Sequence, residues 1–522
     1  MPTFPDIASP VPAGVLRDQL IARAELDYFS RLDWFLPPRV NILIVTDASG
    51  SFDRNAAFGL GKMIDIMRSD PWWWVRFNIT TAHRSALSAA SQASMKHPDL
   101  PIHVGFNFAT PPAGLELNKF DEIWMFGVAA EGASPISAAE ISAVSGYMDA
   151  GHGVFATGDH ETLGASLCGD LPRVNKMRQW KNGGPAGSPP PVSGPNRHDT
   201  LRAGTSPGFQ FDDQSDSVPQ PIRVKHYHDP FHWSPLVRHW RPHPVLCGIN
   251  GVIDVLPDHM HEGNIVVPAA LNATEFPGGV APEIIAHATV LAHATPPVDN
   301  TISNPTSFGV LGAYDGHRPA ANVGRIVVDA TWHHWFNINL MGFASGDANF
   351  EKIKNYYWNV GLWLAPKGKQ TALFNAAVYG LPWIHTFQEL SSKTAIPYLG
   401  FSGIDAIGRR SSKCMATEWI FNHLPDKLKE VAYRRPFPPN PPDPPFEGLE
   451  QLREYVMGGV MQEMLAAAEK GQGQLKQNDV GELIRRGASQ GLAALMEDNA
   501  ARAKHFEEGL SLLREAHGES AR

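Results

Sequence analysis

Residues 151–161 read GHGVFATGDHE: a glycine turn, a short apolar strand, and Gly-Asp-His-Glu where that strand must end. In a parallel α/β sheet, ligands and chemistry collect just beyond the carboxyl ends of the strands. The stretch therefore puts Asp159, His160 and Glu161 forward as acid/base candidates, while no Ser or Cys stands at the turn itself. Upstream, Ser137 followed by Glu140 predicts a boxed helix start, with the helix running to residue 148. Before that, residues 120–127 (FDEIWMFG) form a near-continuous apolar run, as expected of a strand covered on both faces. Residues 40–46 (VNILIVT) predict a first strand ending in Asp47, and residues 55–67 a helix with a stripe of Phe58, Leu60, Met63 and Ile64. Residues 75–80 predict a further strand, and residues 324–330 (GRIVVDA) a late one that leads into Thr-Trp-His-His-Trp. This alternation predicts the α/β class: a flavodoxin-like, doubly wound, mostly parallel sheet with a loop-rich insertion and a C-terminal helical appendage.

The punctuation of the chain suggests its organisation. Residues 1–38 read as an arm with one amphipathic helix stopped by Pro37 and Pro38. Residues 39–345 form the α/β domain, interrupted by a Gly/Pro-rich, polar insertion at about 181–240, a length typical of binding loops. Residues 346–435 read as a mainly helical extension. Seven prolines within 436–446 make a stiff linker, and 447–522 a helical segment with apolar spacing at Leu452, Val456, Val460, Met461 and Met464. Such a helical hairpin is expected to dock or to form a homo-oligomer.

Composition excludes several classes. A net charge of −9 without a long basic run argues against a nucleic-acid binder. Three cysteines are too few for a disulfide framework or a thiolate zinc site. No apolar run approaches about 18 residues, so no membrane partner is expected. The start of the chain lacks a signal-peptide pattern, and a cytoplasmic location is the expectation. No nucleotide cofactor is predicted.

The 22 histidines are unusual, and many are clustered. Asp258, His259, His261 and Glu262 (in PDHMHEG) combine imidazoles and carboxylates in a pattern suited to a divalent metal, Zn or Mg/Mn. Of His333 and His334, at the end of the late strand, one is an acid/base candidate and the other is expected to hold it by a hydrogen bond or pack between Trp332 and Trp335; these two tryptophans could also stack on a substrate face. Within the insertion, His226 and His228 follow the long polar loop of residues 181–220 and could close over a site. Asp47-Ala48-Ser49-Gly50-Ser51 fits a DxSxS pattern able to hold Mg²⁺ through oxygen ligands, and Asp47 is a substrate-binding candidate in any case.

Strand NILIVTD, then FDEIWMFG, then the helix feeding VFATGDHE, resembles the class I glutamine amidotransferase-like superfamily, in particular its trehalose-utilisation (ThuA-like) branch. His243-Pro244-Val245-Leu246-Cys247-Gly248 and Gly324-Arg325-Ile326-Val327-Val328 running to His333 match its later segments. Amidotransferases of this fold carry a Cys nucleophile on the turn after the VFAT-equivalent strand; here Gly158-Asp159 stands there, and Cys168 lies further along. The expectation is a hydrolase or lyase-type enzyme acting on a polar small molecule, with carbohydrate derivatives as the implied class, by Asp/His/Glu or metal chemistry, without Cys amidotransfer. The alternatives are a non-catalytic scaffold assembling through its helical tail and a Mg²⁺-dependent binding module at Asp47.

Overall fold

In the computed structural model the described residues are 37–69, 72, 74–181, 197–199, 219–228, 240–249, 251–257, 263–295, 299–384, 387, 390–426, 451–471 and 479–520. The predicted N-terminal helix, most of the insertion, the Asp258–Glu262 cluster and the proline linker lie outside them.

A ten-stranded sheet organises the chain. Its strands are β1 (Arg39–Thr46), β2 (Arg76–His83), β3 (Ile102–Val104), β4 (Glu122–Phe126), β5 (Gly153–Thr157), β6 (Arg197–Asp199), β7 (Arg223–Val224), β8 (Glu283–Thr295), β9 (Asp299–Tyr314) and β10 (Ile326–Asp329). The order is β3-β2-β1-β4-β5-β10-β9-β8-β6, with β7 also on β8. Every pairing from β3 to β10 is parallel. Setting aside the short outer β3, β2-β1-β4-β5-β10 is the 2-1-3-4-5 order of a flavodoxin-like sheet. The connection reverses direction between β1 and β4, so the switch-point crevice opens beside Asp47 and Val128. Beyond β10 the sheet turns antiparallel through β9 and β8.

Burial explains the central strands. Val40, Ile42, Leu43, Ile44 and Val45 of β1 have no exposed surface, nor do Ile123, Trp124, Met125 and Phe126 of β4. Helices α1 (Gly61–Arg68), α2 (Ala89–Met95) and α3 (Ala138–Asp149) connect the parallel strands, and α4 (Ala165–Cys168) follows β5. The Ser137/Glu140 capping box of α3 is present as predicted. The first of these helices starts later than the predicted residue 55. Asp53 Oδ1 accepts from the Asn55 and Ala56 amides, and Asn337 Nδ2 donates to the Asp53 and Ala56 carbonyls, so this segment is held as a turn. A short α5 (Asn337–Leu340) follows β10, and α6 (Ala348–Leu364) packs on β1, β5 and β10.

The chain divides into two compact units. The first comprises residues 1–226 and 242–373, and the second 227–241 and 374–522. Helix α7 (Lys367–Gly380) crosses the division; α8 (Ile396–Gly408), α9 (Lys413–Asn422), α10 (Leu452–Gly471) and α11 (Val480–Ser520) belong to the second unit. Its helices meet at glycines. A Cβ on Gly400 would lie 1.7 Å from Glu454 O, one on Gly459 2.1 Å from Gly487 O, and one on Gly491 2.0 Å from Tyr455 O. Backbone thus lies on backbone, and Gly491→Ala is expected to destabilise this unit by about 1–3 kcal/mol through overpacking. A lowered melting temperature of the full chain checks this; an unchanged one contradicts the close crossing.

Candidate functional site at the carboxyl edge

Three glycines shape the turn after β5. A Cβ on Gly127 would lie 2.6 Å from Gly164 Cα, and one on Gly158 2.3 Å from Leu163 O, while Gly164 adopts φ +91°. The β4 and β5 ends therefore touch backbone to backbone, and Gly164 N donates to Ala129 O at 3.0 Å. Within the turn, Asp159 N bonds Leu163 O and Leu163 N bonds His160 O. Glu161 sits exposed at its tip in the left-handed region, φ +51°.

Asp159 lies at the centre of the site, fully buried. Its Oδ2 is 2.9 Å from His160 Nδ1, and its Oδ1 accepts from Thr331 Oγ1 at 2.8 Å. His333 brings Nε2 to 3.9 Å from the same Oδ2, while its Nδ1 lies 2.7 Å from Asn339 Oδ1. Burial works to raise the Asp159 carboxyl, but the His160 and His333 imidazoles and the Thr331 hydroxyl outweigh it and hold the group below the usual range. The His160 side chain keeps 13% exposure, so this pair reaches the surface through its imidazole.

Beneath it, the buried Arg178 guanidinium donates to Asp159 O and, at 3.0 Å, to Ala330 O, tying the ends of β5 and β10 together. Desolvation lowers this guanidinium to about 10, while Asp159 works to raise it. Gly263 allows its passage, since a Cβ there would lie 2.1 Å from Arg178 Nη2.

The 3₁₀ turn Trp332–His334 sends its neighbouring side chains apart. Of the two histidines only His333 approaches the site; His334 does not join it. It has no exposed surface, and its Nδ1 lies 2.6 Å from Asp329 Oδ1 in the core. Trp335 is likewise no substrate platform: it is fully buried among Trp124, Phe155 and Tyr357, and its Nε1 donates to Asp329 Oδ2. Trp332 is 5% exposed, stacked on Phe336 and tilted against His333. The exposed ring is Phe58, at 44%, edge-on to both Trp332 and His333. The bonds from Asn337 that divert the predicted first helix, together with Asn337 N to Gly59 O and Ile338 N to Ala57 O, fix Phe58 at this rim.

At the switch point, Asp47 Oδ1 accepts from the Val128 and Ala129 amides at 2.7 and 2.9 Å. Burial raises its carboxyl, and these amides with Arg84 and His83 only partly offset the rise. Ser51 Oγ donates to Met95 O at 3.3 Å and accepts from Asp53 N, so the last hydroxyl of the DxSxS pattern is engaged with backbone. Cys168 is fully buried, and desolvation, reinforced by Asp47, pushes its thiol well above the usual range.

Asp47 gives a test of sign. A carboxyl raised in the folded state costs stability once pH exceeds its unfolded value, about 3.9. Asp47→Asn keeps an acceptor for both amides without the buried charge, so it should equal or exceed the parent in stability at pH 7. That advantage should vanish below about pH 4. Asp47→Ala strands the two amides and should cost about 1–3 kcal/mol. Thermal melts of both variants at the two pH values decide it.

Asp258, His259, His261 and Glu262 lie outside the described residues, as does the side chain of His228; His226 is exposed on the short strand His226–His228. Among the described residues, Asp65, His97 and Asp99 could hold a metal ion, with ligand atoms within 4.8 Å of one another. Arg54 already pairs with both of those carboxylates, so a cation there must displace a guanidinium.

Sequence reasoning missed Thr331, Asn339, Arg178, Asp329 and Phe58 as members of this neighbourhood. Only Asp329 and Thr331 carried a signal, as polar residues at a strand's carboxyl end. No family model, curated protein or solved structure matches the chain.

Proposed function

We propose that the first unit is a hydrolase or lyase-type enzyme that uses Asp159 and His160 in acid–base catalysis on a polar small molecule. The observation that carries this is the 2.9 Å Asp159–His160 contact, with Thr331 on the other carboxylate oxygen and His333 approaching the first. A carboxylate held at Nδ1 fixes the imidazole tautomer, so Nε2 is the nitrogen that accepts a proton from water or a substrate hydroxyl; the carboxylate then stabilises the imidazolium. In this reading His333, oriented by Asn339, returns a proton. The buried Cys168 thiol favours this chemistry over thiolate attack. The resemblance to the ThuA-like amidotransferase branch agrees with a site on this edge and a carbohydrate-related substrate. In this reading a divalent metal at Asp258, His259, His261 and Glu262 would add Lewis acidity.

The test is turnover by the full chain across a panel of glycosides, esters and amides, before and after chelation and with elemental analysis. Activity lost on His160→Gln, with melting unchanged, supports the proposal; equal activity in the variant sinks it. Full activity in metal-free protein removes the metal. A second reading, a scaffold assembling through its helical tail, is favoured by the exposed apolar side chains of α11.

A further inference from the structure

Helix α11 outruns the helix that covers it. Over its first half, Ile484, Ala488 and Leu495 are buried, and Gly487 and Gly491 lie against α10. The contact continues to Asp498, which accepts from Tyr455 OH at 2.8 Å, and to Arg502, which donates to Gln451 Oε1 at 2.9 Å. There α10 begins, at Leu452. The same face of α11 goes on. Phe506 follows Leu495 by about three helical turns and Leu513 by about five, so both sit at nearly the same angle around the axis. They are 68% and 67% exposed, and Leu510 between them 37%.

The sequence of this overhang is that of a coiled-coil seam. Ala503, Phe506, Leu510, Leu513 and His517 alternate by three and four residues, the a/d spacing of a heptad. Glu507 and Arg514 each follow an a-position by four residues and so flank the seam at e. Neither has an ion-pair partner among the described residues, whereas Lys504 and His505, off the seam, pair with Glu508. In an antiparallel pair of identical helices, e meets e, which sets Glu507 of each copy against Arg514 of the other. Gly509, at g, has open space around it.

We propose that residues 503–517 of α11 form an antiparallel two-helix coiled coil with the same segment of a second copy of this chain. The occupant is a second copy because the stripe is self-complementary in charge and continues a face that already buries its apolar residues against α10. The inference rests on the assembly reading of the helical tail and is independent of acid–base chemistry in the first unit.

Sedimentation velocity of the full chain over a concentration series tests it. The expected result is a dimer, twice the 57.1 kDa chain mass, at tens of micromolar, dissociating on dilution. The double substitution F506E/L513E should shift the midpoint of that transition by at least tenfold while far-UV circular dichroism stays the same, since both residues are exposed. E507R and R514E should each weaken the dimer, and the double swap should restore it, which an interaction of α11 with its own chain would not do. A parent that is monomeric at every concentration overturns both the assembly reading and this interface. A dimer that persists in F506E/L513E overturns the interface while leaving assembly standing, and failed rescue by the double swap overturns the antiparallel pairing.

Discussion

Asp159→Asn should lower kcat/KM by about 10²–10⁴-fold on any substrate the protein turns over, the range that positioned acid–base groups contribute. The carboxylate does two things that an amide cannot. It accepts from His160 at Nδ1, and it places a negative charge between two imidazoles. Asparagine can present an N–H to the ring instead, favouring the wrong tautomer and removing the counter-charge. The pH profile gives a second readout. The folded-state carboxyl is held below its ordinary value, so its stabilising contribution is complete above the unfolded value of about 3.9 and is lost as pH falls through the folded one. Acid unfolding of Asp159→Asn should therefore show a shallower dependence below about pH 4 than the parent. Identical acid limbs, with undiminished turnover, would remove Asp159 from the site.

Asp329→Ala should destabilise the first unit by about 3–5 kcal/mol, as breaking a buried polar network does. This fully buried carboxylate takes His334 Nδ1 at 2.6 Å, Trp335 Nε1 at 2.8 Å, Tyr356 OH at 2.9 Å and the Thr331 amide at 3.3 Å. Alanine removes this acceptor from all four donors and opens a cavity under Trp335. Asp329→Asn keeps one acceptor oxygen but turns N–H groups on the remaining donors, so it should fall between. Denaturant midpoints followed by near-UV circular dichroism rank the three proteins. A ranking in which alanine is the mildest change would contradict the hub.

The central sheet was legible because β1, β4, β5 and β10 are buried on both faces and read as apolar runs. The Ser137/Glu140 box was legible because it is local. Asp159 and His160 could be placed by a single rule about strand ends. The partners that orient them could not, since Thr331 lies 172 residues from Asp159 along the chain. Adjacent histidines at 333 and 334 look equivalent in sequence; a 3₁₀ turn sends one to the site and the other to Asp329. The β8–β9 hairpin gave no strand signal because Ala, His and Thr dilute its apolar alternation and Pro305 interrupts it. Asn337 redirected the first helix from 281 residues away, where no local pattern can register it.

That same separation has a kinetic side. Strands β5 and β10 are neighbours in the sheet, yet the whole insertion and the β8–β9 hairpin are synthesised between them. Loop closure of that length must precede the reward of pairing, which slows folding and leaves the edge of β5 open until β10 arrives. During synthesis the nascent chain holds Asp159 and His160 without Thr331, His333 or the rim that fixes Phe58. Acid–base chemistry at this edge would thus switch on only after the second half of the first unit has emerged, and the unpaired β5 edge would be the stage at which the chain most needs protection from other chains.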